Sequence, residues 1–285
     1  MLIFETIIDY YDKETSHKSK LRDKCSRQRL EQYFMGEDVL TMTRSHLRGY
    51  AKLRQLQGVS NSTINRELHY FRAAVNFYKL EQQLDFLNPV ANLSLKEPDS
   101  IVRYITPVEA TYLVEAATRF ARTPQLPAFI TLALNTGCRK TELFSLEWSR
   151  VDFYQRLIVL GSQHTKSAKR RFIPMNDKTV ETLQGLQHWT KKNYPNSRFV
   201  MPSNSASGHI TCMKHGFRNA CNRAGIYNFR IHDLRHTFAS WLVQGDVSLY
   251  HVKDLLGHAS VTTTEKYAHL ANEHLRSAVK ILPDF

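Results

Sequence analysis

The chain is 285 residues long, with 42% hydrophobic, 11% aromatic and 23% charged residues. That balance excludes a disordered chain, and the length holds one large domain or two ordinary ones. Lys and Arg outnumber Asp and Glu by 39 to 26, a net charge of +13 that points to a polyanionic partner. Residues 1–100 carry only +2 of it and residues 101–285 the other +11, with +10 falling within residues 161–230. There the basic residues alternate with aromatics and hydroxyls, as in "KSAKRRF" and "KKNYPNSRF", which favours nucleic acid over a merely solvated face. Cys25, Cys138, Cys212 and Cys221 are widely spaced, which argues against a disulfide framework or a cysteine zinc site and fits a reducing compartment. The opening "MLIFETIIDYYDKE" lacks a basic leader region. The most apolar run, "PAFITLALNTG", is about half the length of a membrane span. A cytoplasmic protein with no membrane partner is expected.

From the start, the pattern is helical. "LTMTRSHLRGYAKLRQLQG" reads as a short helix ended by Gly58. In "NSTINRELHYFRAAVNFYKLEQQ", Ile64, Leu68, Phe71, Val75 and Tyr78 recur at steps of three and four, with Ser62 or Asn61 as the N-cap. Arg66, Arg72 and Lys79 lie off that stripe, and Arg66 and Arg72 are candidate phosphate contacts, as is the basic stretch "KSKLRDKCSRQR". Residues 1–95 are therefore predicted to form a small helical bundle, followed by a polar linker over 96–104. Residues 105–285 are predicted to be a mixed domain, mostly helical, with a small antiparallel sheet from "VDFYQRLIVL" and "RRFIPM". Helices are expected in "PVEATYLVEAATRFAR", "DKTVETLQGLQHW", "TCMKHGFRNACNRAG", "HDLRHTFASWLVQG" and "SLYHVKDLLGH".

Three stretches of the second part carry chemistry. "HDLRHTFASW" puts His232, Arg235 and His236 at the mouth of an apolar helix. His232 and His236 are four apart and would share a helix face, an acceptable start for a zinc site. No third ligand is evident, and a polar helix end is the plainer reading. "LNTGCRKTELFSLEW" places Arg139 just after a helix-ending glycine. Glu142, one turn on, can reach back to orient the guanidinium or cap the helix. "HTKSAKRRFIP" carries Lys166 in a hairpin loop, and "LLGHASVTTTEKYAHL" carries His258 and, nine residues later, Tyr267. Two arginines, a lysine, histidines and a tyrosine, without a catalytic carboxylate pair, suit a transition state with negative charge on phosphoryl oxygens. A tyrosine beside such cations can serve as a covalent nucleophile.

These stretches, "TGCRKTEL", "HDLRHTFASWL" and "LLGHASVTTTEKYAH", occur in order, and together they resemble the tyrosine recombinases of the phage integrase family. The resemblance covers residues 105–270, and the N-terminal helices are similar to the family's core-binding domain. It implies a site-specific recombinase or integrase that needs no cofactor, metal or ATP. Tyr267 would attack the scissile phosphate, leaving a 3′-phosphotyrosyl link. Arg139 and Arg235 would clamp that phosphate and His258 would donate to it. His232 would handle the tyrosine proton, Lys166 (or Lys169 in the same loop) would protonate the leaving 5′-oxygen, and Glu142 would support Arg139. His236 is then structural, and Lys169, Arg170 and Arg171 add DNA contacts beside Lys166. The implied partners are duplex DNA bearing a recombination site, three further subunits in a homotetramer on two duplexes, and accessory DNA-bending or directionality factors. The apolar positions Leu270, Leu275, Val279 and Leu282 predict a terminal helix with one face to bury, either on its own domain or, as the resemblance implies, on a neighbouring subunit. A core-binding domain starting close to Met1 leaves no room for an arm-binding domain, which favours a simpler integrase, resolvase or invertase. The competing readings are a type IB topoisomerase and a non-catalytic basic DNA-binding protein.

Overall fold

The computed structural model describes residues 1–15, 20–98, 102–161 and 170–271. Lys166, Lys169 and the terminal segment with Leu275, Val279 and Leu282 lie outside them. The chain divides into two compact units, Met1–Asp99 and Ser100–Phe285.

The first unit contains α1 (Phe4–Glu14), α2 (Lys20–Phe34), α3 (Arg44–Leu56) and α4 (Asn61–Glu81). Its core is aromatic: Phe4 meets Phe71 edge-on with ring centroids 4.9 Å apart, and Phe34 packs on both Phe71 and Tyr50. Edge-to-face pairs add to the area term in such a core. The N-cap of α4 is Ser60, whose hydroxyl accepts from the Thr63 amide, one residue before the pair expected from the sequence. Basic residues here are not all free to meet a phosphate. Arg27 on α2 is tied to Asp9 at 2.6 Å, Asp12 at 3.1 Å and Glu31 at 2.6 Å. Arg54 pairs with the buried Glu67 at 2.8 Å, which also accepts from the Tyr50 hydroxyl at 2.6 Å. Arg66 is exposed on α4 and Arg72 is half-buried.

The second unit contains α5 (Pro107–Phe120), α6 (Gln125–Thr136), the short α7 (Lys140–Phe144), strands β1 (Val151–Asp152), β2 (Leu157–Leu160) and β3 (Arg171–Pro174), then α8 (Asp177–Asn193), α9 (Lys214–Arg223), α10 (Asp233–Gln244) and α11 (Leu249–Leu256). A 3-10 turn, Glu265–Ala271, closes the described part. The strands form one antiparallel sheet in the order β1-β2-β3, with Ile158 opposite Ile173 and Leu160 opposite Arg171. Helix α6 is apolar and buried on nearly every side, so it forms the centre, packed by α5, α8 and α10. No helix among the described residues is long and apolar enough to cross a membrane.

Helix α6 ends at Gly137, which is left-handed with φ +61° and donates its N–H to the Ala133 carbonyl at 3.1 Å. The turn aims the next residues, Cys138 and Arg139, away from the helix axis. A Cβ at 137 would collide with the Phe238 ring on α10. Gly137→Ala should therefore destabilise the second unit by about 2–4 kcal/mol, combining left-handed strain with overpacking. A thermal melt equal to the parent's would contradict this account of the turn.

Candidate active site

Five chain segments converge on one corner of the second unit. Arg139 is the N-cap of α7, and Glu142 is in that helix's first turn. The Glu142 carboxylate, 1% exposed, accepts from the Arg139 amide at 2.7 Å and from Arg139 Nη1 at 2.8 Å. It also accepts from Arg171 Nη2 at 2.7 Å. Arg139 Nη2 also reaches the Gly257 carbonyl at 3.4 Å.

Arg235 leaves the first turn of α10 and is 3% exposed. It donates to the Gly137 carbonyl at 2.7 Å and to the Leu256 carbonyl at 2.6 Å. Burial first, and then the neighbouring Arg139, pull its value down to about 10. Two carbonyl tethers leave the rest of its five N–H groups free to meet an anion. The Leu256 carbonyl also accepts from Arg171 Nη1. The end of α11, where orphan carbonyls carry the negative end of the helix dipole, thus fixes two guanidinium groups at once.

Gly257 is the left-handed cap of α11, and His258 follows it. His258 Nδ1 lies 2.9 Å from the Thr264 hydroxyl. Burial, followed by the charge of Arg235 and Lys266, holds the ring down to about 3, so it is neutral at physiological pH. Tyr267 sits in the 3-10 turn and is 1% exposed. Its ring packs in a cluster with Phe238, Val252 and Leu256. Its hydroxyl lies 2.7 Å from His236 Nδ1. Burial raises the phenol to about 12 against a smaller opposing effect from Arg235. His232, the N-cap of α10, meets the His236 ring edge to face at 4.9 Å. Its value is lowered by burial and then by Arg235.

The site residues expected from the sequence thus divide. Arg139, Glu142, His232, Arg235, His258 and Tyr267 come together. Lys166 and Lys169 fall outside the described residues. Arg170 is exposed, its guanidinium over the Phe172 ring at 5.2 Å from the centroid. An open cleft of about 780 Å³ beside it is lined by Arg170, Phe172, His251, Lys253 and His258.

Arg171 requires a correction. It is 7% exposed and bonded to Glu142 and Leu256, so its guanidinium braces the site instead of reaching out to a DNA backbone. Strand alternation carried that signal, because Arg171 shares a strand face with the buried Ile173 while Phe172 points outward.

Two residues lie against Tyr267 that sequence reasoning had not placed there. His236, read as structural, touches the tyrosine hydroxyl. Lys266, adjacent to Tyr267, has its ammonium 5.2 Å from the tyrosine ring centroid. Burial and Arg235 lower its value, and its charge in turn acts on His232, His236 and His258. Among the described residues no three His, Cys, Asp or Glu side chains gather to hold a metal ion.

The phage integrase family profile matches residues 103–274, more than half of the chain. The integrase of Salmonella phage P22 is 30% identical over 203 residues, covering 68% of this chain and 51% of that one, so the chain spans about half the length of that relative. Tyrosine recombinase XerD of Rickettsia bellii is 27% identical over 259 residues, covering 84% of this chain and 83% of that one. In fold, the chain is similar to the Tn1549 transposon integrase solved with a circular intermediate DNA, with a TM-score of 0.82 at 18% identity, over 99% and 100% of the two chains. It is also similar to a lambda integrase dimer bound to a core site, with a TM-score of 0.71 at 18% identity over 92% and 76%. Together with the arginine pair and tyrosine gathered in one corner, these matches place the chain in the phage integrase family of tyrosine recombinases.

Proposed function

We propose that this protein is a site-specific recombinase that cuts and rejoins duplex DNA through a covalent 3′-phosphotyrosyl link on Tyr267. The observation that carries the reading is the gathering of Arg139, Arg235 and His258 at the end of α11, with Tyr267 close enough to feel the charge of Arg235. Arg139 and Arg235 hold the non-bridging oxygens of the scissile phosphate, as a planar fork does better than an ammonium. His258, neutral and oriented by Thr264, donates to the phosphate. Lys166, or Lys169 three residues on, protonates the departing 5′-oxygen, and His232, whose ring meets that of His236 edge to face, helps handle the tyrosine proton. Lys169, Arg170, Arg66 and Arg72 contact the DNA backbone. The energy of the broken phosphodiester stays in the tyrosyl ester, so rejoining needs neither ATP nor a cofactor. A homotetramer on two duplexes, aided by DNA-bending or directionality factors, brings the cut ends together.

Capturing covalent complexes on the DNA flanking the protein's own gene tests this. A 3′-linked adduct at one discrete position is expected, unaffected by EDTA. Its yield should fall steeply as salt rises, since a basic surface releases counterions on binding. Relaxation of any plasmid regardless of site, or adducts at scattered positions, would overturn the assignment.

A further inference from the structure

The tyrosine hydroxyl is held by a residue with no role in the roles given above. His236 follows Arg235 directly and lies one turn beyond His232 on α10. Among the described residues it is the histidine whose ring nitrogen lies within hydrogen-bond distance of Tyr267, Nδ1 to Oη at 2.7 Å. His258 has Nδ1 committed to Thr264, and His232 meets the His236 ring edge to face. We infer that His236 is a catalytic residue that takes the proton from Tyr267 as its oxygen attacks the scissile phosphate. This rests on the recombinase reading of the site.

Geometry puts acceptor and reacting atom in contact before DNA arrives, which a general base requires. The groups facing His236 are His232, Asp233 and Arg230 from its own helix end, and Lys266 from the tyrosine turn. Burial, then Lys266 and His232, press the ring down to about 4. With the phenol up at about 12, the proton rests on Tyr267 in the free protein and the nucleophile is silent. The phenol therefore donates, Nδ1 accepts, and the ring proton sits on Nε2. A DNA phosphate seated beside Arg235 adds the negative charge that raises the ring's proton affinity. In the step itself, an Oη lone pair forms the bond to phosphorus while the Oη proton passes to Nδ1. The phosphorus–5′-oxygen bond breaks, and its electron pair leaves on the 5′-oxygen, which takes a proton from the loop lysine. On rejoining, the imidazolium returns its proton to Oη.

His236→Asn separates chemistry from placement, because the amide oxygen occupies the Nδ1 position and can accept the tyrosine hydrogen bond but cannot take a proton. Single-turnover adduct formation would be followed on a nicked duplex carrying the captured site, with an ordinary linkage and with a 5′-bridging phosphorothiolate. The sulfur leaves without a proton, so it rescues the loss of an acid and not the loss of a base. The expected result is slowing of about 100-fold or more on both duplexes, an unchanged melting temperature, and a deficit that narrows as pH rises toward the phenol's own ionisation. Rates equal to or faster than wild type would overturn the proposal. In the free wild-type protein, nitrogen NMR of His236 should find the proton on Nε2, and a proton on Nδ1 overturns the proposal even if the Asn variant misfolds. Absence of any adduct with the wild-type protein would bring down the recombinase reading itself, and this inference with it.

Discussion

Tyr267→Phe should give a folded protein that binds DNA with near-normal affinity and forms no covalent adduct. The two halves of that outcome have different origins. The ring is 1% exposed and packs against Phe238, Val252 and Leu256, so removing the hydroxyl leaves its apolar contacts in place. The loss is one hydrogen bond to His236, a matter of about 1 kcal/mol. For a unit of this size that moves the melting temperature by about 2–4 °C. On the proposed function, affinity for DNA comes from the arginines and the basic cleft, to which a neutral phenol adds little. The chemistry, by contrast, has no substitute on the proposed mechanism, since a phenylalanine ring offers no oxygen to attack phosphorus. Denaturing gels of protein mixed with labelled site DNA decide the matter, and an adduct surviving in the Phe variant would show that another residue attacks. Arg235 cannot make the same separation. Its guanidinium also tethers the Gly137 and Leu256 carbonyls, so its removal would disturb fold and chemistry together.

Much of this site was legible in the sequence because its parts lie in local patterns. A glycine ends α6 and Arg139 follows it. Glu142 is three residues further on, close enough to reach back to both the amide and the guanidinium. Apolar periodicity located α4, and helical patterning located α5, α8 and α10, whereas α6, apolar on nearly every side, was marked only by the glycine that ends it. What remained hidden depends on contacts between distant segments. Tyr267 and His236 are 31 residues apart, and nothing at residue 236 announces a phenol beside it. Arg171 looked like one more cation in a basic run, because charge counts do not say which way a side chain points. Arg27 and Arg54 make the same point, since each is spent on carboxylates of other helices. The short strands were legible as a hairpin, but their register, which turns Arg171 inward, follows from packing Ile158, Leu160 and Ile173 beneath the sheet.

Glu142→Ala should be the most damaging single change to the second unit, in stability and in cleavage at once. Arg139, Arg171 and Arg235 bring three positive charges to this corner, and among the described residues Glu142 is the one carboxylate bonded there, leaving two positive charges. A phosphodiester carries one negative charge, so it would offset half of that excess and the corner would keep a net positive charge with DNA bound. Removing the carboxylate strands Arg171, 7% exposed, and frees the α7 cap at the Arg139 amide. Breaking a buried pair in this way costs about 3–5 kcal/mol, because the remaining charge is left without a partner. At about 2–4 °C per kcal/mol, the melting temperature should fall on the order of 10 °C. Glu142→Gln keeps the shape and one acceptor oxygen, so it should fall between the parent and the Ala variant. Sulfate or phosphate should stabilise the Ala variant more than the parent, since an anion can take the vacated position between the guanidiniums. Calorimetry with and without sulfate measures all three effects. If the Ala variant melts like the parent, the three arginines do not depend on Glu142 and their arrangement must be held by the Gly137, Leu256 and Gly257 carbonyls alone.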